Sequence, residues 1–166
     1  VILKKKVDKK KLKDSKKLTK INRQILEKYI KKNSYWSIGS ASLKEIEKLN
    51  ILNASLLAMK RAIIKLKKKP GQILIDGNKI PKIKNYNLKY VIKGDEKVPE
   101  ISAASIIAKV SRDRLITKMS KKYIKYSWNK NAGYGTKSHL LAIKKFGITK
   151  HHRKTFKPIH NMLSLE

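Results

Sequence analysis

The fold of this chain is decided by the stretch Lys93-Gly94-Asp95-Glu96-Lys97-Val98-Pro99-Glu100-Ile101-Ser102-Ala103-Ala104-Ser105-Ile106-Ile107-Ala108-Lys109-Val110-Ser111-Arg112-Asp113-Arg114. It begins as a polar turn, and Pro99 then suits the first turn of a helix, where a backbone N–H is not needed. The residues that follow are mostly small or apolar, and steps of three and four bring Ile106, Val110 and Asp113 to one face. A carboxylate beside a buried face is costly unless it is paired or binds a metal. The sequence therefore predicts a long helix whose Asp113 has a partner.

Composition limits the class of protein. With 166 residues, of which 40% are hydrophobic, the chain is long enough for a single domain with its own core. It contains no cysteine, no signal-peptide pattern and no apolar run of about 18 residues that would span a membrane. We therefore predict one cytoplasmic domain over residues 1–166 with residues 150–166 as a C-terminal tail, in which residues 151–158 are extended or looped.

The charge of the chain is extreme. Lysine and arginine number 43 against 11 acidic residues, so the formal net charge is +32. Such a field attracts polyanions and favours salt-sensitive binding to nucleic acid. Lysine greatly outnumbers arginine, however, and that bias is also typical of an AT-rich genome whatever the function. Charge alone therefore does not specify the partner.

Helix and strand signals alternate along the chain, which predicts an α/β domain. Residues that can cap a helix precede segments of helical spacing at Thr19, Ser42, Asn50 or Asn53, and Thr136. Apolar runs typical of short strands occupy residues 35–41, 72–75 and 88–92. Both tryptophans, Trp36 and Trp128, are predicted to lie in the core.

Two acidic residues stand apart from the lysine-paired glutamates of the helices. Asp76 directly follows the apolar run 73–75, where an open α/β sheet presents groups to ligands, although Asp-Gly is also a common turn signal. Asp113 can instead form a buried salt bridge with Arg112, Arg114 or a lysine. Together the two carboxylates can share Mg²⁺ or Mn²⁺, which prefer oxygen ligands and leave room for substrate phosphates. In a basic protein such a site suits metal-assisted cleavage of a phosphodiester.

A second candidate site lies at Gly133-Tyr134-Gly135-Thr136. A tyrosine between glycines can stack on a sugar or a base, and the helix N-terminus that follows Thr136 favours a phosphate. The alternative for Tyr134 is a loop aromatic that covers the core. Lys16 and Lys17 are either phosphate contacts or part of a solvated basic face.

The remaining polar residues carry weaker signals. Surface or hydrogen-bonding roles are favoured over metal binding for the histidines, because the adjacent pair diverges: His139, His151, His152 and His160. The sequence has neither a Gly-rich phosphate loop of the Walker type nor a serine in a nucleophile elbow.

Four motifs occur in an order that closely resembles ribonuclease HII: Asp14 to Leu18, Leu74 to Asn78, Lys93-Gly94-Asp95 with the run Ile101 to Asp113, and Gly133 to Thr136. The resemblance covers residues 1–156 and includes His152-Arg153 and Phe156. It implies a ribonuclease H-like fold with a mixed central sheet flanked by helices. It also implies a monomeric endonuclease that cuts the RNA strand of RNA–DNA hybrids, including a single ribonucleotide embedded in duplex DNA.

The resemblance further implies roles for individual residues. Asp76 and Asp113 match two catalytic members of a four-carboxylate cluster that holds Mn²⁺ or Mg²⁺. Tyr134 matches the tyrosine that packs on the sugar at the RNA–DNA junction. Lys16 and its neighbour Lys17 match a segment that lies near the substrate backbone.

One departure from the family pattern sets an expectation about activity. The family's other two acids form an Asp-Glu pair on the first strand, followed by a Gly-Arg-Gly turn, and that combination is absent from these 166 residues. It would fall just before Val1, which implies an N-terminally truncated enzyme whose first strand is missing. Because two metals need enough carboxylates to offset their charge, we expect the chain as given to be poorly active or inactive. The alternative is a non-catalytic basic remnant that binds nucleic acid without regard to Asp76 and Asp113.

Overall fold

The structure, a computed structural model, describes residues 1–12 and 18–163. The chain divides into two compact units: the first comprises Val1–Ala41 and Leu52–Val110, and the second comprises Ser42–Ile51 and the chain from Ser111 onward. Helices and strands both contribute, so the predicted α/β class is confirmed. The single domain over 1–166 stays a prediction. None of the described helices is both long enough and apolar enough to cross a membrane.

The strands belong to the first unit and form two short pairs. β1 (Ile2–Leu3) and β2 (Ser34–Tyr35) are antiparallel, whereas β3 (Ile73–Asp76) and β4 (Leu88–Val91) are parallel. Asp76 pairs with Val91, so β3 and β4 end at the same level. Within the described ranges the pairs are two separate two-stranded sheets, one antiparallel and one parallel, so the predicted single mixed central sheet is not formed there.

Helices supply most of the core of the first unit. α1 (Lys20–Lys32) and the short α3 (Gly94–Lys97) lie within this unit, while α2 (Leu43–Lys65) and α4 (Pro99–Ser120) each contribute residues to both units. The core includes the buried apolar side chains Val7, Leu12, Ile30, Ala103, Ile106, Ile107 and Val110. Ile106 and Val110 are therefore buried, as the helical spacing of the opening stretch predicts.

The second unit is helical and has its own core. It contains α5 (Trp128–Asn131), α6 (Lys137–Phe146) and α7 (Lys157–Leu163). Tyr126, Trp128, Ile143 and Ile159 are buried together. The segment 151–158, predicted to be extended or looped, lies outside helix and strand up to Phe156; α7 then begins at Lys157, and its Ile159 joins the core.

Side-chain capping follows the sequence prediction. Thr19 accepts a hydrogen bond from the Asn22 N–H at 3.2 Å and begins α1. At the start of α2, the Ser42 hydroxyl accepts from the Glu45 N–H at 3.3 Å, while the Glu45 carboxylate accepts from the Ser42 N–H at 2.7 Å. This reciprocal pair satisfies two backbone donors that have no partner inside the helix.

Two local predictions are wrong. The strand predicted over 35–41 is limited to β2, and Trp36 beyond it is 39% exposed rather than in the core. The Lys31 ammonium lies 4.2 Å from the centre of the Trp36 ring, so the indole face binds a cation instead of packing. Asn50, one of the two residues predicted to open the longer helix, has a φ of 65° and divides α2 into two helical segments, which agrees with that prediction.

Candidate functional site

Asp76 is the last residue of β3, and its side chain is exposed. Gly77 follows with a φ of +99°, and its N–H donates to the Val91 carbonyl oxygen at 3.0 Å. Asp76 Oδ1 accepts a hydrogen bond from the Gly94 N–H at 2.8 Å. The carboxylate is therefore fixed where β3 and β4 end, by the backbone at the beginning of α3.

This hydrogen bond brings a second carboxylate, Asp95, into the same part of the first unit. Asp95 directly follows Gly94 and is only 8% exposed. Gly94 permits the close approach, because a methyl group on it would lie 3.3 Å from Asp76 Oδ1 and 2.5 Å from Ile101 Cδ1. In the sequence, Asp95 looks like part of a polar turn. The signal that marks it is a glycine–aspartate pair soon after an apolar strand.

Asp113 lies on α4 in the second unit and is partly exposed. It has an interaction partner in the folded chain, as the sequence predicts for a carboxylate that borders an apolar face. An interaction of this kind is compatible both with a metal site and with a salt bridge to a basic side chain. The metal-binding role of Asp113 therefore stays a prediction.

The carboxylates fit a hard divalent cation in chemistry and fall short of a complete ligand set. Asp76 and Asp95 offer oxygen donors, which Mg²⁺ and Mn²⁺ prefer, and these ions accept water and phosphate oxygens at their other positions. Across residues 1–12 and 18–163, no group of three or more His, Cys, Asp or Glu side chains is arranged to hold a metal ion.

Tyr134 lies in a tight turn of the second unit and is 57% exposed. The Arg112 guanidinium lies 5.4 Å from the centre of the Tyr134 ring, and Arg112 Nη1 donates to the Ala132 carbonyl oxygen at 3.1 Å. Both Ala132 and Gly133 have a positive φ, of 50° and 75°. The turn therefore presents an aromatic face backed by a cation, which is an arrangement suited to a sugar or a base.

The other predicted nucleic-acid contacts have mixed outcomes. Thr136 caps α6, and its hydroxyl accepts from the His139 N–H at 3.3 Å, as the sequence predicts. Its contact with a phosphate stays a prediction. Lys16 and Lys17 lie outside the described residues.

Two histidines are buried in the core of the second unit, where they make the hydrogen bonds that the sequence favours for them. His139 and His152 are 4% and 5% exposed, and their Nε2 atoms lie 3.3 Å apart. Burial, and secondarily the neighbouring His139, lower the pKa of His152 from 6.5 to about 4. The pKa of His151 is lowered by partial burial and by Lys150 and Lys122.

The first unit also contains a large apolar cavity of about 890 Å³. Its lining combines side chains from β1, β3, α2 and α4, among them Leu3, Met59, Ile75 and Ile101. Asp76 is also one of the lining residues. Among the described strands, β3 pairs with β4 alone, so its other edge has no strand partner.

Sequence comparisons agree on one family. The family model described as Ribonuclease HII matches residues 2–159. Ribonuclease HII of Pelagibacter ubique (strain HTCC1062) is 71% identical over 163 residues, which cover 98% of this chain and 88% of that protein. Ribonuclease HII of Cereibacter sphaeroides (strain ATCC 17029 / ATH 2.4.9) is 47% identical over 155 residues, which cover 93% of this chain and 73% of that protein.

Solved structures have the same fold. The ribonuclease H2 from Pyrococcus horikoshii OT3 superposes with a TM-score of 0.71 at 27% identity, covering 93% of this chain and 81% of that one. The RNase HII in a PCNA complex from Archaeoglobus fulgidus gives 0.69 at 24% identity, with coverages of 91% and 80%. These neighbours confirm the predicted ribonuclease H-like fold.

Proposed function

Since this chain belongs to the ribonuclease HII family, a family of ribonuclease H hydrolases, we propose that its substrates are RNA–DNA hybrids and duplex DNA with embedded ribonucleotides. It hydrolyses the RNA strand of the hybrid and cuts the duplex at the ribonucleotide. The observation that carries this proposal is the Asp76 carboxylate at the end of the parallel strands, which accepts a hydrogen bond from the Gly94 N–H, immediately before the buried Asp95.

We assign the site residues distinct roles. Asp76 and Asp95 hold Mn²⁺ or Mg²⁺, and Asp113 is a further candidate ligand on sequence grounds. The bound cation supplies positive charge at the phosphodiester and lowers the pKa of a water molecule. Tyr134 packs on the sugar at the RNA–DNA junction, and Thr136 with Lys16 and Lys17 contacts the phosphates.

We also propose that the 166 residues as given cleave their substrates only weakly. The family's Asp-Glu pair with its Gly-Arg-Gly turn is absent from them, so they supply only part of the carboxylate set. Robust cleavage by this chain would contradict the expected weakness and would leave the assignment to the family unchanged.

Metal binding tests the carboxylate pair without requiring turnover. We would titrate Mn²⁺ and follow free ion by electron paramagnetic resonance. Asp76→Asn and Asp95→Asn should each weaken Mn²⁺ binding by about tenfold or more, because each removes a charged ligand. Glu96→Gln is the matched control, since Glu96 is exposed in the same short helix. If all three variants bind Mn²⁺ with equal affinity, the assignment of Asp76 and Asp95 as metal ligands is wrong.

The same titration decides the role of Asp113. If it is a metal ligand, Asp113→Asn should weaken Mn²⁺ binding about as much as Asp76→Asn does. If it pairs with a basic side chain instead, Mn²⁺ affinity should be unchanged and the free energy of unfolding should fall.

Cleavage and binding separate the enzyme from a basic remnant. The substrates are a duplex with one ribonucleotide and the same duplex in all-DNA form. The proposal expects slow, Mn²⁺-dependent cleavage of the first alone, abolished by Asp76→Asn. A remnant that binds through its charge of +32 would bind both duplexes equally and lose both as salt rises. That second result would overturn the proposed function.

A further inference from the structure

The turn that carries Tyr134 is held from inside the second unit by a buried imidazole. The Tyr134 carbonyl oxygen accepts a hydrogen bond from the Thr136 N–H at 2.9 Å and lies 2.8 Å from His139 Nδ1. The His139 ring is 4% exposed, in the first turn of α6. A side chain in the core therefore reaches the backbone of the exposed tyrosine.

The direction of this hydrogen bond follows from Trp128. An indole N–H can only donate, and Trp128 Nε1 lies 2.9 Å from His139 Nε2. His139 Nε2 is therefore the acceptor and carries no proton. The ring proton is on Nδ1, which donates to the Tyr134 carbonyl oxygen.

His152 orients the same ring from a second side. The Thr149 N–H donates to His152 Nδ1 at 2.8 Å, so the proton of His152 is on Nε2. This Nε2–H points at His139 Nε2, 3.3 Å away. Trp128 takes the one lone pair of His139 Nε2 at 2.9 Å, and the His152 contact at 3.3 Å is a weaker interaction with the same atom. The other nitrogen of His139 is left to hold the turn.

Arg112 constrains the turn from the solvent side. It contacts the Tyr134 ring and donates to the Ala132 carbonyl oxygen at 3.1 Å. The Gly133 N–H donates to Asn131 Oδ1 at 2.8 Å. The backbone on both sides of the tyrosine is therefore hydrogen-bonded, while the ring itself remains 57% exposed.

We propose that His139 is the positioning residue that fixes Tyr134 for its contact with the sugar at a ribonucleotide, and that Trp128 and His152 set the tautomer His139 needs. The proposal rests on the proposed function, namely on the contact between Tyr134 and the substrate. A turn that is ordered in advance does not lose conformational freedom when the substrate binds, so affinity for the ribonucleotide duplex is higher.

Two substitutions at His139 separate positioning from mere packing. The amide nitrogen of His139→Asn takes the place of Nδ1 and keeps the bond to Tyr134, but leaves Trp128 without its acceptor. The amide oxygen of His139→Gln reaches the place of Nε2 and keeps the Trp128 bond, but removes the donor to Tyr134.

The proposal predicts which of these two variants loses the preference for the ribonucleotide duplex over the all-DNA duplex. We would measure fluorescence anisotropy with the single-ribonucleotide duplex and with its all-DNA counterpart. His139→Gln should reduce the preference for the ribonucleotide by roughly five- to tenfold, whereas His139→Asn should stay within about twofold of wild type. A purely structural role predicts the reverse, because His139→Asn disturbs the buried indole. Equal preference of His139→Gln and wild type overturns the proposal.

A comparison of Tyr134→Ala with wild type distinguishes failure of the proposed Tyr134 contact from failure of the proposed His139 role. If wild type and Tyr134→Ala show the same preference, the proposed contact of Tyr134 fails and the positioning role fails with it. If Tyr134→Ala loses the preference and His139→Gln keeps it, only the positioning role fails. Should the His139 variants not fold, imidazole nitrogen NMR of the wild-type protein still decides: a proton on His139 Nε2 rather than Nδ1 overturns the proposal.

Discussion

Acidification should destabilise the second unit through His152, and the size of the effect follows from its lowered pKa. Burial, and then the neighbouring His139, lower the pKa of His152 in the folded chain from 6.5 to about 4. Between these values the unfolded chain binds a proton that the folded chain does not. Stability therefore rises with pH across this window, and the loss on acidification begins as pH falls below 6.5.

The magnitude is set by the gap between the two pKa values. One pKa unit corresponds to about 1.4 kcal/mol. Relative to neutral pH, the contribution of His152 to the free energy of unfolding should fall by about 2 kcal/mol at about pH 5 and by about 3 kcal/mol at about pH 4. The side chain is 5% exposed, so solvent screens little of this cost.

The assay is urea unfolding followed by tryptophan emission, in a Trp36→Phe background that leaves Trp128 as the reporter. His152→Gln is the comparison, because its amide nitrogen can donate to His139 Nε2 but does not titrate. Between about pH 7.5 and about pH 5, wild type should lose about 2 kcal/mol more than His152→Gln. Parallel pH profiles for the two proteins would refute the reasoning. So would an NMR titration that gives His152 a pKa near 6.5.

Three further predictions concern packing and charge. Gly39→Ala should cost about 2 kcal/mol or more in thermal unfolding, because the new methyl group would collide with the Ala58 carbonyl oxygen, whereas Gly71→Ala, which meets nothing within 4 Å, should be near neutral. Ser102→Ala should cost about 1–3 kcal/mol, because the buried Leu12 carbonyl oxygen loses its donor; an unchanged urea midpoint would contradict this. Because the net charge is +32, the affinity for duplex DNA should fall by about tenfold or more between roughly 50 and 200 mM salt, and a flat anisotropy titration would oppose this.

The sequence predicted those parts of the fold that depend on local chemistry. Thr19 and Ser42 begin helices because their hydroxyls satisfy backbone donors, and that rule needs only a few neighbouring residues. Trp36 was predicted to lie in the core from its apolar area alone. Its exposure depends on Lys31, whose ammonium comes to the indole face only after α1 and β2 are folded.

The candidate site likewise contains residues that the local sequence predicts and residues whose place depends on the folded chain. Asp76 could be predicted because it directly follows an apolar strand. For Asp95 the sequence offers only the weak signal of a glycine–aspartate pair after an apolar strand, because the link to Asp76 depends on one hydrogen bond across 18 residues, from the Gly94 N–H. The role of His139 was also out of reach of the sequence, since a lone histidine in a first helical turn indicates neither the indole donor nor the carbonyl acceptor that the fold brings to its two nitrogens.

The net charge gives a physical reason for a histidine at the position that holds Tyr134. A lysine or arginine at residue 139 could also donate to the Tyr134 carbonyl oxygen, but it would bury a further cation in a chain that already carries +32. A buried charge without a partner costs several kcal/mol, and the described neighbours that pack around the His139 ring include the aromatic rings of Tyr126, Trp128 and His152. An imidazole that accepts from Trp128 donates one hydrogen bond without a charge. The pair of histidines thus holds the turn without adding a buried charge.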